Sequence, residues 1–272
     1  MTVSSPAFPT ELAAFEALLD RVAERQRQDF GQLDSEAKPD GSLITACDRW
    51  SDATLVAGLA ELFPGEGVLS EEGSQSVPRS SAFWVVDPLD GTTNFAAGIP
   101  YWAISIARFE AGVPVLAVLD VPPLRQRIVA VRGGGAWRNH KRLAPPSART
   151  QVAGCASLCS RSIGVLQKLP NRRFPGKIRL FGVASLNLVS VAMGQTVAAL
   201  EATPKIWDLA AAWLVLTELR CPLRWLLQDP AQLVPGEDLA RADYPVLAAR
   251  NDETLTTFLP WAEALVAGDL PS

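Results

Sequence analysis

The stretch "VVDPLDGTTNF", residues 85–95, follows Phe83 and Trp84 and passes abruptly from an apolar run to two aspartates three positions apart. Its apolar half, "AFWVVD", reads as a short buried strand, since aromatic and β-branched residues suit a packed, pleated surface. Its polar half reads as a turn, which Asp, Pro and Gly all favour. Pro88 fixes the backbone and Gly91 permits close approach, so the carboxylates of Asp87 and Asp90 and the Leu89 carbonyl are held on one side. Like charges this close repel or hold protons unless something positive lies between them. A hard divalent cation answers that need: Mg2+ takes six oxygen ligands at about 2.0–2.1 Å and tolerates waters among them.

Other acids stand where apolar context would not place them. "VLSEEGS" sets Glu71 and Glu72 just after a short apolar run, and "KIWDLAAAWLVLTE" sets Asp208 in the first turn of a strongly apolar helix. "SLITACDRW" contributes Asp48. Taken singly, Asp208 complements a helix N-terminus, and the glutamate pair is a solvated loop. Taken together, they supply oxygen donors for two metals about 3.5–4 Å apart. A shared Asp bridges such a pair, which clamps the attacking and leaving oxygens of a phosphoryl transfer. Thr92, just past Gly91, is placed to orient the attacking water.

Outward from this stretch the elements fall into two lobes. Residues 10–30 carry Leu12, Phe15, Leu19 and Val22 at helical spacing, with Thr10 as a cap, and 48–62 reads as a second helix. "YWAISIARF" (101–109), "VPVLAVLDV" and "RQRIVAVR" follow "AFWVVD" as an antiparallel meander. "LAPPSARTQ" (143–151) reads as a connection between lobes. Beyond it come a strand near "IRLFG", a helix over 185–194, a strand "TVAALEA" and a helix from Asp208 to about Leu219. Strands "LRWLL" and "YPVLAA" and a helix from about 252 complete the chain. The expectation is an α+β lobe over 1–142, with an antiparallel sheet and most metal ligands, and an α/β lobe over 143–272 supplying Asp208 and substrate contacts. The Pro-containing first nine residues read as a loose end.

Composition narrows the function class. Of 272 residues 48% are hydrophobic, enough for a large core, and the net charge of −4 comes with no long basic run. That argues against nucleic acid or an anionic membrane as partner. Apolar stretches are broken well short of the roughly 18–20 residues a membrane span needs. The N-terminus lacks a basic start and continuous apolar segment, so a cytoplasmic protein is expected. Cys155 and Cys159 form a C-x3-C with no second pair and one histidine in the whole chain, which leaves zinc poorly supported. The four cysteines read as buried free thiols, and His140 as an exposed loop residue, so the hydrolytic chemistry is expected to run without histidine.

In their order and spacing, "SEEGS", "WVVDPLDGTTNF" and "KIWDLAAAWLVLTE" resemble the inositol monophosphatase family of Mg2+-dependent, lithium-sensitive phosphatases. The similarity runs from "KPDGSLITACD" to "VLAARNDE". The resemblance implies a layered αβαβα sandwich of the inositol monophosphatase and fructose-1,6-bisphosphatase type, two or three Mg2+ ions, and a homodimer. By the same resemblance Glu71 ligates the first metal and reaches another, Asp87 bridges, and Leu89 ligates through its carbonyl. Asp90 and Asp208 hold the second metal. Asp48 and Thr92 position the attacking water, and Lys38 lies near the site. The Gly91 and Thr92 amides contact phosphate, Glu201 binds a substrate hydroxyl, and Ala184 belongs to the substrate loop "FGVASLN" (181–187).

The implied reaction is hydrolysis of a small phosphorylated polyol or sugar, inositol-1-phosphate-like, by direct attack of a metal-activated water. Fructose-1,6-bisphosphatase, histidinol-phosphatase and 3′-phosphoadenosine 5′-phosphate phosphatase activities remain alternatives, as does a catalytically silent regulatory relative. A haloacid-dehalogenase-type phosphatase is excluded, because that chemistry needs its two aspartates at i and i+2. The departures from the family pattern concern substrate: Val197 and Val183 stand where an Asp and a hydroxyl are common, and "LRCPLRW" replaces the usual turn after "LTE". Arg161 and Ser162 read as solvated loop or as contacts to a second phosphate.

Overall fold

The alternation in "AFWVVD" sorts its side chains to two faces of a sheet, and the fold is built on both. The computed structural model describes residues 10–32, 34–38, 41–147 and 154–267, with backbone alone for 10–12. The expected Thr10 cap, the side chain of Leu12, the first nine residues and 148–151 of the connection lie outside the described residues. The chain runs α1 (Thr10–Asp29), a hairpin of β1 (Ser35–Ala37) and β2 (Leu43–Thr45), α2 (Ala46–Leu62), β3 (Gly67–Ser70), β4 (Ala82–Asp90) and the short α3 (Thr92–Ala96). An antiparallel run follows: β5 (Ala103–Glu110), β6 (Val113–Val121), β7 (Gln126–Val131), β8 (Gly135–Arg138) and β9 (Lys141–Arg142). Then come β10 (Cys155–Leu158), α4 (Val165–Lys168), β11 (Lys177–Arg179), α5 (Ala184–Ala192) and β12 (Ala198–Glu201). The last elements are α6 (Ile206–Glu218), β13 (Leu223–Trp225), β14 (Val246–Ala249) and α7 (Asp252–Val266).

Two sheets result. The larger has seven strands in the sequential order β3 to β9, antiparallel except for the parallel pair β3–β4. The smaller has the order β11-β10-β12-β14-β13, parallel from β11 to β12 and antiparallel beyond. Trp84 and Val86 of β4 pack with Phe15, Leu19, Leu55 and Leu59 of α1 and α2. Phe83 and Val85 pack on the opposite side, in the cluster that holds Leu209, Ala212 and Val215 of α6. The outer face of the smaller sheet, through Leu158, Leu200 and Leu247, is covered by Phe258, Trp261 and Leu265 of α7. The layers are therefore helix, sheet, helix, sheet, helix, as expected. Helix α6 is apolar nearly all round, which suits only a helix enclosed between two layers. Its terminal Glu218 accepts from the Gly133 and Gly135 amides at 2.8 and 2.9 Å, pinning its C-terminus to the larger sheet.

Several local expectations change. Strand β4 continues through Asp-Pro-Leu-Asp to Asp90, its ladder with β5 slipping between Asp87 and Asp90, so the expected turn is a bulge in a strand. The strand sought near "IRLFG" ends at Arg179, because Gly182 (φ +73°) starts the loop into α5. The hairpin β1–β2 and the short β3 and β10 carry too few residues to show a period. Where "LRCPLRW" replaces the usual turn, Arg220 takes the left-handed position (φ 57°) that closes α6. All four cysteines are free, but Cys159 is only half-buried, drawn to the end of its strand by the Ser162 and Ala202 amides that donate to its sulfur at 3.3 and 3.4 Å. His140 is exposed at the turn after β8.

Candidate metal centre

Three segments distant in sequence bring carboxylates together at the end of β4. Oxygens of Glu71, Asp87 and Asp208 all lie within 4.8 Å of one another. Glu71 follows β3, which runs parallel to β4, so both strands deliver their acids at one edge of the sheet. Asp208 arrives from the first turn of α6, where it also accepts from the Lys205 amide at 2.8 Å. The capping role open to Asp208 from sequence and the cluster role thus fall to one carboxylate. Asp87 is buried, whereas Glu71 and Asp208 keep partial exposure, which leaves the cluster open to solvent on one side.

Asp90 is turned toward α5. Its Oδ2 accepts from the Ser185 amide at 2.7 Å and its Oδ1 from the Ala184 amide at 3.3 Å, at a helix N-terminus that favours negative charge. Asp48 is buried in α2 and accepts from the Thr45 amide at 2.8 Å. Thr92 Oγ1 lies 2.7 Å from Asp48 Oδ1 and 3.1 Å from the Leu89 carbonyl. The Leu89 amide donates to Asp87 Oδ1 at 2.9 Å. Lys38, in the β1–β2 loop, reaches Glu71 at 2.9 Å and also pairs with Glu72. Gly91 (φ +103°) begins α3, and a Cβ there would lie 2.8 Å from Val183 Cγ2. Of the residues named from sequence, Glu71, Asp87 and Asp208 converge, while the Glu201 carboxylate is buried and accepts from Asn187 Nδ2 at 2.7 Å. Arg161 is held at the surface by Thr203 at 2.7 Å. Asn94 was overlooked although it stands inside the quoted stretch. Its Nδ2 donates to the Tyr101 and Phe181 carbonyls at 2.9 and 2.8 Å, tying the loop that carries Ala184 to the acidic strand end.

Electrostatics match the packing. The Asp87 carboxyl is held well above the usual range by burial and then by the charges of Glu71, Asp90 and Asp208, with the Leu89 amide offsetting part. Asp208 is raised by burial and by Asp90 and Glu71. Burial also pushes Asp90 up to about 6, against the Ser185 hydrogen bonds, and Glu72 up to about 7, where the Glu71 charge adds and Lys38 opposes. Burial works against the charge on Lys38, but Glu71 and Glu72 outweigh it. Glu201 is raised by burial first and then by Cys159. Acids crowded until protons stick to them suit oxygen-loving divalent ions, and the donor set here is oxygen alone. A cavity of about 340 Å³ lies elsewhere, between α1 and the β6–β7 region; its lining includes Leu19, Trp137 and His140 but none of these acids.

A five-layer sandwich with an all-oxygen cluster at a strand end defines a class: chains whose carboxylates can hold divalent cations. The model of the inositol monophosphatase family matches residues 3–223, and the chain belongs to that family. It is 37% identical to a histidinol-phosphatase of Mycobacterium tuberculosis over 74% of this chain and 82% of that protein. It is 34% identical to an inositol-1-monophosphatase of Mesorhizobium japonicum over 70% and 76%. Among solved structures, an IMPase/NADP phosphatase complexed with Mg2+ and phosphate superposes with a TM-score of 0.76 at 25% identity, covering 93% of this chain and 94% of that one.

Proposed function

We propose that the chain is a Mg2+-dependent phosphomonoesterase acting on a small phosphorylated polyol or sugar of the inositol-1-phosphate kind. The convergence of Glu71, Asp87 and Asp208 from three distant segments carries the reading. These three, with Asp90 and the Leu89 carbonyl, would hold two or three ions. Bound Mg2+ supplies positive charge against the phosphoryl oxygens and makes a nearby water more acidic. The chain's own part is positioning and proton handling. Thr92 donates to Asp48 Oδ1, which turns its lone pairs outward to accept a proton from the attacking water. The proton relayed through Thr92 Oγ1 ends on Asp48 Oδ1, while the water oxygen bonds to phosphorus, the ester P–O bond breaks and the leaving alkoxide takes a proton from solvent. The amides of Gly91 and Thr92, at the start of α3, face the phosphate, while Ala184 and Glu201 border the alcohol portion.

Two further parts of the reading concern setting. Four free cysteines fit a reducing cytoplasm. The exposed side chains of Ile99 and Leu180 beside the Tyr101–Phe181 ring contact fit a self-complementary homodimer face. The relative named histidinol-phosphatase keeps histidinol phosphate as a second candidate substrate.

The test is phosphate release by purified protein with Mg2+ from inositol, sugar, histidinol and nucleotide phosphates, beside Asp90→Asn. The expected result is release from at least one polyol, sugar or histidinol ester, abolished by the substitution in a protein that still folds. Binding of Mg2+ without release from any ester would sink the enzyme and favour a silent relative.

A further inference from the structure

Gln26 has no exposed surface, yet it continues the stripe Phe15, Leu19 and Val22 that α1 lays on the larger sheet. An apolar residue is the rule at that position. Its Nε2 donates to the Pro88 carbonyl at 2.7 Å and lies 3.2 Å from Ser51 Oγ, and its Oε1 accepts from Trp102 Nε1 at 3.0 Å. Pro88 falls in the slipped part of β4, where neither it nor Leu89 has a register partner on β5. A buried carbonyl without a donor is costly, so the bulge needs one from outside the sheet. The N–H of the same peptide group, that of Leu89, donates to Asp87 Oδ1 at 2.9 Å. The Pro88–Leu89 peptide is thus held at its carbonyl end by Gln26 and itself holds the Asp87 carboxylate at its amide end. A peptide group is a rigid plane, so fixing one end fixes the other.

We propose that Gln26 is a positioning residue for the metal centre: it sets the plane of the Pro88–Leu89 peptide, and through it the orientation of the Asp87 carboxylate. The inference rests on the phosphatase reading and adds to it a residue that touches neither metal nor substrate. Without the carboxamide, the Pro88 carbonyl turns toward another donor and draws the Leu89 N–H away from Asp87. Ligand-orienting hydrogen bonds of this kind are worth about 10- to 100-fold in metal affinity.

The test is calorimetric titration of Mg2+ into the metal-free full chain, with melting temperatures taken alongside. Gln26→Met keeps the volume and loses every hydrogen bond; Mg2+ affinity is expected to fall about tenfold or more. Val22→Ala, one turn earlier on the same face, serves as a packing control: it lowers the melting temperature while Mg2+ affinity stays near wild type. Trp102→Phe keeps the ring among Phe30 and Phe95 but deletes the donor that orients Gln26, and its affinity falls in the same direction by a smaller factor. Wild-type affinity in Gln26→Met overturns the proposal, and so does wild-type affinity in Trp102→Phe if Gln26→Met does not fold. Equal loss of affinity in Val22→Ala and Gln26→Met overturns it as well. A wild-type chain that takes up no Mg2+ overturns the phosphatase reading, and this proposal with it.

Discussion

Asp87 shows how much one side chain is asked to tolerate. It is buried and faces three other carboxylates, with the Leu89 amide offsetting part of the cost. A carboxyl whose pKa is higher in the folded than in the unfolded chain takes up a proton on folding. Its contribution is therefore fully present below the unfolded values of 3.8 to 4.5 and is lost as pH rises through the folded ones. For Asp90 and Glu72 that loss is complete near pH 6 and 7, and Asp87 and Asp208, raised as well, lose theirs in the same direction. The expected outcome is a metal-free protein whose melting temperature drops between pH 5 and 8 and is restored by Mg2+ most strongly at pH 8. A metal-free melting temperature that climbs across this range would contradict the picture of mutually repelling acids. Thr92→Val separates chemistry from ion binding at the same scale. Turnover is expected to fall about 100-fold, by a larger factor than Mg2+ affinity measured by titration. These acids were legible in the sequence because each interrupts an apolar run. Gln26 was not, because a glutamine one turn past Val22 looks like the polar end of an amphipathic helix.

Elements decide whether the acids meet. The bulge in β4 was read from Pro88 and Gly91 as a free turn; its strand character emerges only from pairing with β5, which no local pattern reveals. Helices α1, α2 and α6 were legible from their apolar spacing, whereas the strands β1 and β2, three residues each, are too short to leave a signature, and β1 is exposed throughout. The junction of β4, α3 and α5 is a close contact beside the acids. Gly91→Ala places a Cβ against Val183 at a left-handed backbone position. It is expected to cost about 1–3 kcal/mol in a urea melt. Because α3 and the Ala184 loop shift apart, turnover is expected to fall about tenfold or more. Full activity in a stable Gly91→Ala protein would show that the close approach is dispensable.

Across the whole molecule, α6 joins what the sequence divides. The two lobes expected on either side of residue 143 supply separate sheets, but one apolar cluster holds side chains from both sheets and from α5 and α6. Denaturation is therefore expected to be a single transition, with tryptophan fluorescence and far-UV circular dichroism coincident. Leu214→Ala in α6 is expected to lower the midpoint by an amount equivalent to about 2–5 kcal/mol without splitting it. Two resolved transitions would mean that the sheets fold as independent bodies. Asp208 sits on that same helix, nearly half a chain length after Glu71 and Asp87. During synthesis on the ribosome, the first two acids emerge and their strands can pair long before the third exists. A nascent chain has no complete ion trap until α6 slides between the sheets, so a divalent cation that needs all three acids would act as a late seal on the fold and would have no part in starting it.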